Sequence, residues 1–207
     1  MLLILDYLGV AVFAATGALA ASRRNLDIVA FGFFASVTGI GGGTLRDILL
    51  GRLPVFWVRD PSYIAVCLAV AVLVWFVAER LASRLTILLW ADAIGMAGYA
   101  VMGAAVALQQ GVGYGPAILM GVMTATFGGI IRDVIGGEPS VLLKKEIYVT
   151  AALAGSALYV GLTWLGAPLW PAAIAGAATA FIVRAGAIRY GWTLPTHTLP
   201  PRNDGGG

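Results

Sequence analysis

The chain has 207 residues, of which 60% are hydrophobic and only 11% are charged. A water-soluble domain of this size would lack the polar side chains that its surface requires, so the composition excludes an ordinary soluble globular class. The formal net charge of +3 does not argue for a nucleic-acid partner, and it reflects how basic residues are distributed among loops. The composition therefore predicts an integral membrane protein.

Charge-poor stretches of about 20 residues, the length that spans a bilayer, recur between short charged or glycine-rich breaks. Seven spans are predicted, over residues 2–21, 28–50, 62–78, 87–108, 116–135, 148–165 and 169–188. They are too long and too uniformly apolar for barrel strands, so all seven are predicted to be helices. The first span carries Asp6 and has no basic residue before it, which favours a transmembrane helix over a signal peptide.

Basic residues fall mainly on one side of these predicted spans. The side of the membrane that the C-terminus shares with the first, third and fifth loops holds Arg23, Arg24, Arg80, Arg84, Lys144, Lys145, Arg184, Arg189 and Arg202. The loops on the opposite side carry only Arg52 and Arg59. By the positive-inside rule, the C-terminus is predicted to be cytoplasmic and the N-terminus to be outside.

The chain contains an internal repeat that is visible without any alignment. Asp6-Tyr-Leu-Gly9 recurs as Asp92-Ala-Ile-Gly95, an offset of 92 − 6 = 86. The same offset relates several further pairs: Gly17 and Gly103, Thr38 and Thr124, Gly42-Gly43 and Gly128-Gly129, Arg46-Asp47 and Arg132-Asp133. A constant offset between rare polar positions indicates a duplication.

Each copy of the repeat contains three predicted helices. Because three is an odd number, the second copy must enter the membrane from the opposite side. The predicted fold is therefore an all-α polytopic membrane protein with two inverted three-helix repeats and an added seventh helix. Its parts are residues 1–85 for the first repeat, 86–166 for the second, 167–190 for the seventh helix and 191–207 for a polar tail that is predicted to be disordered.

Two glycine-rich motifs occupy equivalent places in the repeats. They are Gly39-Ile-Gly-Gly-Gly-Thr-Leu-Arg-Asp47 and Phe127-Gly-Gly-Ile-Ile-Arg-Asp133. Consecutive glycines weaken a helix by about 1 kcal/mol each and permit kinks or unwinding. Broken helices at equivalent points of inverted repeats indicate a solute pathway, although glycines also permit close helix packing. Beside an Arg-Asp pair, we favour the pathway.

The Arg-Asp pairs lie inside predicted spans, where an ionisable residue costs about 3 kcal/mol and usually faces the protein interior. Neighbouring helical side chains point about 100° apart, so Arg46 is not expected to pair with Asp47, and a partner is expected from elsewhere in the fold. The alternatives to a role in the pathway are a structural salt bridge or an arginine that snorkels to the interface. Asp6 and Asp92 lie near the starts of their spans. This position favours a role as helix-start or interfacial carboxylates over a role as ion ligands.

No catalytic or metal-binding motif accompanies these features. His197 is the only histidine and lies in the polar tail, and Cys67 is the only cysteine. No serine or cysteine has an apparent base, and neither glycine run has the spacing of a nucleotide-binding loop. The sequence therefore predicts neither an enzyme nor a metal site.

At its motifs the chain resembles the TRIC family, the trimeric intracellular cation channels, in its prokaryotic branch. The motifs that carry the resemblance are Gly41-Gly-Gly-Thr-Leu-Arg-Asp47, Trp57-Val-Arg-Asp-Pro-Ser-Tyr63, Phe127-Gly-Gly-Ile-Ile-Arg-Asp133 and Lys144-Lys-Glu-Ile-Tyr148. They lie in both repeats, so the resemblance covers nearly the whole chain except the tail.

The resemblance implies a homotrimer in a bacterial or archaeal cell membrane, with a K⁺ and Na⁺ pore in each protomer, bordered by the second and fifth spans. It implies pore hinges at Gly41, Gly42, Gly43, Gly128 and Gly129. It makes pore-lining or gating candidates of Thr38, Arg46, Asp47, Thr124, Arg132 and Asp133. The basic pair Lys144 and Lys145 is predicted to be a topology signal, with contact to anionic lipid as the alternative. No cofactor is predicted, other than bound lipid in that alternative.

Two other functional classes stay open at this point. A secondary transporter for a small solute also uses inverted repeats with broken helices, and it would show saturable, coupled flux. A structural or assembly protein would keep its buried charges paired and have no hydrated path. A channel instead predicts a continuous narrow pathway and large unitary currents.

Overall fold

A computed structural model of the chain describes residues 2–80, 83–139 and 147–195. This described part is helical. Its helices are α1 (Leu2–Arg23), α2 (Ile28–Leu49), α3 (Phe56–Arg59), α4 (Ser62–Val77), α5 (Arg84–Gln109), α6 (Tyr114–Ile135), α7 (Val149–Trp164) and α8 (Leu169–Tyr190). A single 3₁₀ turn, Ala78–Arg80, extends α4.

Five of these helical segments are long and apolar enough to cross a membrane. They are Ile28–Leu49, Ser62–Arg80, Arg84–Gln109, Tyr114–Ile135 and Leu169–Tyr190. The predicted class, an all-helical membrane protein, is confirmed. Helices α1 and α7 coincide with the predicted first and sixth spans, but α7 has only 16 residues, and membrane crossing by these two helices stays a prediction.

The C-terminal ends of α2 and α6 are built in the same way. Gly51 and Gly137 have φ values of 66° and 62°, a left-handed conformation that glycine adopts without steric cost and that ends many helices. The next residue then bonds back to the helix: Arg52 N–H donates to the Asp47 carbonyl at 2.8 Å, and Glu138 N–H donates to the Asp133 carbonyl at 2.9 Å. The backbone at positions 52 and 138 is thus folded back onto the Arg-Asp motif.

Helix boundaries and packing follow the sequence repeat. Helices α2 and α6 begin 114 − 28 = 86 residues apart and end 135 − 49 = 86 residues apart. Helix α1 packs on α2 and α4, while α5 packs on α6 and α7. The two sets meet where α1 packs on α5 and α2 packs on α6, and α8 covers α5 and α7. The Arg-Asp motifs therefore lie on the two helices at the centre of the bundle.

Helices α2 and α6 cross with their backbones in direct contact. A methyl group added to Gly42 would collide with the Thr124 carbonyl oxygen, and one added to Gly128 would collide with the Thr38 carbonyl oxygen. Since 42 + 86 = 128 and 38 + 86 = 124, each contact is the counterpart of the other, as at a two-fold axis. Both helices continue through their glycines, so the unwinding considered from the sequence does not occur, and close packing explains these two glycines.

Candidate functional site

The Arg-Asp motifs form buried ion pairs within themselves. Arg46 Nε donates to Asp47 Oδ1 at 3.0 Å, and its Nη2 lies 2.9 Å from the same oxygen. In the second motif, Arg132 Nε and Nη2 each lie 2.9 Å from Asp133 Oδ1. The expectation that neighbours would not pair is wrong. The two side chains leave the helix in different directions, but the arginine is long enough to fold back onto the adjacent carboxylate.

Asp47 also anchors the loop that follows α2. Its Oδ1 accepts a hydrogen bond from Arg52 at 3.2 Å, and its Oδ2 accepts one from the Phe56 backbone N–H at 3.0 Å. The Phe56 ring then lies under the Arg46 guanidinium, 5.8 Å from ring centre to Cζ. Gly43 makes room for this ring, because a methyl group there would lie 2.7 Å from it. One carboxylate thereby positions the short helix α3, which the sequence did not predict.

Arg132 has further partners in the second motif. Its Nη1 donates to Asp92 Oδ1 at 2.7 Å and to Thr16 Oγ1 at 3.1 Å. Asp92 is only 2% exposed, and it lies more than two turns into α5, which begins at Arg84. The helix-start interpretation of Asp92 is therefore wrong. Thr16 lies on α1, so Arg132 has partners in both halves of the chain.

Asp6, the counterpart of Asp92, has different partners. Its Oδ2 accepts a hydrogen bond from the Tyr63 hydroxyl at 2.9 Å, and its backbone carbonyl accepts one from the Tyr99 hydroxyl at 3.3 Å. Within the described ranges, no nitrogen of Arg46 lies within ion-pair distance of Asp6. Asp92 is thus paired with Arg132 beside the Tyr148 hydroxyl. The Asp6 carboxylate instead has the Tyr63 hydroxyl as its hydrogen-bond donor.

A second polar cluster surrounds the start of α4. The Tyr7 hydroxyl donates to Asp60 Oδ2 at 2.7 Å, and its ring stacks on Tyr63 with centroids 4.2 Å apart. The Ser62 hydroxyl and N–H donate to Asp60 Oδ1 at 2.5 and 3.1 Å. These bonds, the Ser62 hydroxyl first, lower the pKa of Asp60. Asp60 therefore keeps its negative charge at this end of the bundle.

A cavity of about 260 Å³ opens beside the second motif. Its charged lining residues are Arg23, Arg24, Asp92, Arg132, Asp133, Glu138 and Arg184. Glu138 lies 3.4 Å from Arg24 and 3.9 Å from Arg23, and the wall as a whole carries both signs of charge. A cavity of this kind can bind ions or small zwitterions, because each charge can find an opposite partner.

Arg184 is a further site residue, for which the distribution of basic residues predicts only a role as a topology signal. It lies in α8 with 2% of its surface exposed, its Nη1 donates to the Ile147 carbonyl at 3.3 Å, and its Cζ lies 5.0 Å from the Tyr148 ring centre. Its position inside a predicted span was the available signal, since buried arginines in membranes are usually functional or paired.

The other residues predicted for the pore, its hinges or lipid contact do not share one environment. Thr38 and Thr124 are buried at the α2–α6 crossing, away from the cavity lining. A methyl group on Gly41 would meet Ile131 at 3.1 Å, and one on Gly129 would meet the Tyr148 hydroxyl at 3.1 Å. The structure thus brings Arg132 and Asp133 to the cavity and places Arg46 and Asp47 elsewhere. Lys144 and Lys145 lie outside the described residues.

Titratable side chains in the described part of the chain do not suggest metal binding. No group of three or more His, Cys, Asp or Glu residues there is arranged to hold a metal ion. The buried Arg-Asp pairs and the adjoining cavity are therefore the candidate site.

Comparison with known proteins identifies the family. A family model described as "Glycine transporter" matches the chain twice, over residues 3–79 and 89–164, and the two matches start 89 − 3 = 86 residues apart. A solved TRIC trimeric intracellular cation channel orthologue from Rhodobacter sphaeroides is 52% identical, covers 92% of this chain and 98% of its own, and superposes with a TM-score of 0.90. The chain belongs to this TRIC-related family.

Curated relatives extend the same picture to other bacteria. The "UPF0126 membrane protein" of Vibrio cholerae is 39% identical over 201 residues, which is 96% of this chain and 84% of the relative. The "UPF0126 inner membrane protein YadS" of Escherichia coli is 37% identical over 198 residues, 94% of this chain and 95% of the relative. The family resemblance drawn from the motifs is confirmed. The chain is a multi-pass membrane protein whose solved relatives include TRIC cation channels, which are not enzymes.

Proposed function

We propose that the chain is a passive monovalent-cation channel that conducts K⁺ and, to some extent, Na⁺, with one pore in each protomer of a homotrimer. The observation that carries this proposal is the 52% identity, over 92% of the chain, to a solved trimeric cation channel. Identity at this level over nearly the full length favours shared architecture and shared transport. In this proposal the N-terminus is outside the cell and the C-terminus is cytoplasmic.

The proposed architecture is seven transmembrane helices, arranged as two inverted three-helix repeats with α8 as the addition. Support comes from the equal spacing of the α2 and α6 boundaries and from the reciprocal contacts of Gly42 and Gly128 at the helix crossing. The double match of one family model at the same offset also favours two copies of one unit. Inverted repeats place functional sites at their interface, near the middle of the bilayer.

The proposed pathway follows α2 and α6 past the two Arg-Asp motifs. An unpaired arginine would repel a passing cation strongly in a low-dielectric membrane. Pairing with Asp47 and Asp133 at 2.9 Å offsets that charge, so the motifs lower the barrier to a cation while keeping a polar surface inside the bundle. Gly41 to Gly43, Gly128 and Gly129 are proposed as the hinges at which these helices bend.

Membrane lipid is the other proposed partner. Lys144 and Lys145 follow the second motif on the proposed cytoplasmic side, where clusters of basic residues attract anionic head groups.

K⁺ flux from loaded liposomes tests the proposal. Purified wild-type protein is expected to release K⁺ passively down its gradient, to release Na⁺ more slowly, and to retain an uncharged solute of similar size. Empty liposomes and liposomes with heat-denatured protein are the controls. Folded protein that releases no K⁺ would contradict the channel.

A second candidate function is a secondary transporter of a small zwitterion. Two observations favour it: the family model is described as "Glycine transporter", and the cavity wall beside Arg132 carries both signs of charge. A transporter would take up labelled glycine with saturation and with dependence on an ion gradient. A channel would instead pass ion current that rises in proportion to the gradient and would not change when glycine is added.

A further inference from the structure

The two halves contain the same charged residues in different pairings. By the offset of 86, Asp6 corresponds to Asp92 and Arg46 corresponds to Arg132. Arg132 Nη1 lies 2.7 Å from Asp92 Oδ1, whereas the part of the chain that the structure describes has no ion pair between Arg46 and Asp6. Both arginines nevertheless keep the carboxylate that follows them in sequence. One difference between the halves is therefore whether the arginine also pairs with the aspartate of α1 or α5.

In the first half, Asp6 and Arg46 are each bonded to other partners. The Tyr63 hydroxyl donates to Asp6 at 2.9 Å, while its ring meets the Phe56 ring edge-on with centroids 4.8 Å apart. Phe56 in turn lies under Arg46 and donates its N–H to Asp47. Arg46 is thus held over the α3 loop, and Asp6 has a neutral donor in place of a cation.

In the second half, the Asp92–Arg132 pair lies in the wall of the 260 Å³ cavity. Arg132 continues inwards to Thr16, a fully buried residue of α1, which it reaches at 3.1 Å. The guanidinium therefore stands between the cavity and Thr16. Breaking the pair would leave Arg132 with Asp133, as Arg46 is left with Asp47, so the arginine would not become a bare buried charge.

We propose that Asp92–Arg132 and Asp6–Arg46 are two equivalent gates of the pathway, of which the first is shut in this structure and the second is open. This inference deepens the proposed function and rests on it for the link to ion flow. Each arginine keeps its adjacent aspartate as a permanent partner and opens or closes its gate by leaving or joining the aspartate of α1 or α5. Tyr63 competes with Arg46 for Asp6 and so favours the open state of its gate.

Cysteine accessibility tests the shut gate without any need for conduction. In a Cys67→Ala background, Thr16→Cys is treated in liposomes with a membrane-impermeant methanethiosulfonate applied from the cavity side. Asp92→Asn is expected to speed modification about tenfold, the population shift that corresponds to losing one hydrogen bond between charged groups. Asp6→Asn is the matched control and is expected to leave the rate within about twofold, because Asp6 pairs with no arginine within the described ranges.

Open probability tests both gates with opposite signs. Asp92→Asn is expected to raise the K⁺ open probability, whereas Tyr63→Phe, which keeps the ring but frees Asp6 to bind Arg46, is expected to lower it. General damage to packing would not move two conservative variants in opposite directions. Asp92→Glu keeps the negative charge and is expected to change both readouts less than Asp92→Asn does.

The outcomes separate this inference from the proposed function. Unchanged Thr16→Cys reactivity in folded Asp92→Asn, or changes of the same sign in Asp92→Asn and Tyr63→Phe, would overturn the gates. If wild type carries no K⁺ current but the tenfold accessibility change is found, the cation channel fails while the shut Asp92–Arg132 gate stands.

Discussion

At the scale of single residues, an arginine and the aspartate that follows it act as one unit. Arg46 and Asp47 are 3% and 1% exposed, so neither charge is stabilised by water. A buried charge that loses its partner is costly, because its desolvation is no longer offset. The adjacent carboxylate therefore lets an arginine remain inside a membrane bundle.

Replacing Asp47 by Asn tests the worth of this unit. The variant removes the charge that pairs with Arg46 and weakens the bonds to Arg52 and to the Phe56 N–H, so we expect a loss of about 3–5 kcal/mol, as for other broken buried pairs. Thermal unfolding in detergent measures it. Asp27→Asn is the matched control, since Asp27 caps α2 by accepting the Ala30 N–H and Asn caps a helix equally well. Equal melting of Asp47→Asn and the control would contradict the prediction.

At the scale of elements, the α2–α6 crossing fixes the centre of the fold. Gly42 and Gly128 each face a carbonyl of the opposite helix so closely that a side chain has no room. Both are central positions of unbroken helices. The glycines are therefore required for contact between the helices, whatever bending they also allow.

Gly42→Ala and Gly128→Ala test this contact. Either methyl group must push the helices apart, and we expect a loss of about 1–3 kcal/mol, typical of overpacking. Gly98→Ala is the control: it lies in α5 with nothing within 4 Å of an added methyl group, and helix propensity predicts a gain of up to about 1 kcal/mol. Detergent unfolding curves compare the three. Destabilisation of all three variants, or of none, would contradict the prediction that close contact at the α2–α6 crossing excludes a side chain at Gly42 and Gly128.

The sequence predicted the long helices well, including α2 and α6, which carry the site. Long apolar spans and a constant offset are local or periodic signals. They did not predict the partners of the charges. The Arg46–Asp47 pair depends on how a long side chain folds, and the burial of Asp92 depends on α6 bringing Arg132 to it. Helix α3 has four residues and depends on a side-chain bond from Asp47, which no periodicity reveals.

At the scale of the whole molecule, the two halves are related but carry different charges at their ends. Arg52 and Glu138 occupy equivalent positions, since 138 − 52 = 86, after the two helix-ending glycines. Arg52 adds a cation beside Asp47 at 3.2 Å, whereas Glu138 meets Arg23 and Arg24 at the cavity rim. The two ends of the proposed pathway therefore present different fields to an ion, which gives a nearly symmetric fold a direction.

Single-channel recording of Arg46→Ala and Arg132→Ala in planar bilayers tests most directly whether the duplicated Arg-Asp sites lie on a cation pathway. We predict discrete K⁺ currents from wild type and a changed conductance or open probability in both variants, because each substitution leaves an aspartate charge beside the path. Folding of each variant is checked by its elution from a sizing column. Unchanged conductance and unchanged open probability in both folded variants would contradict the account.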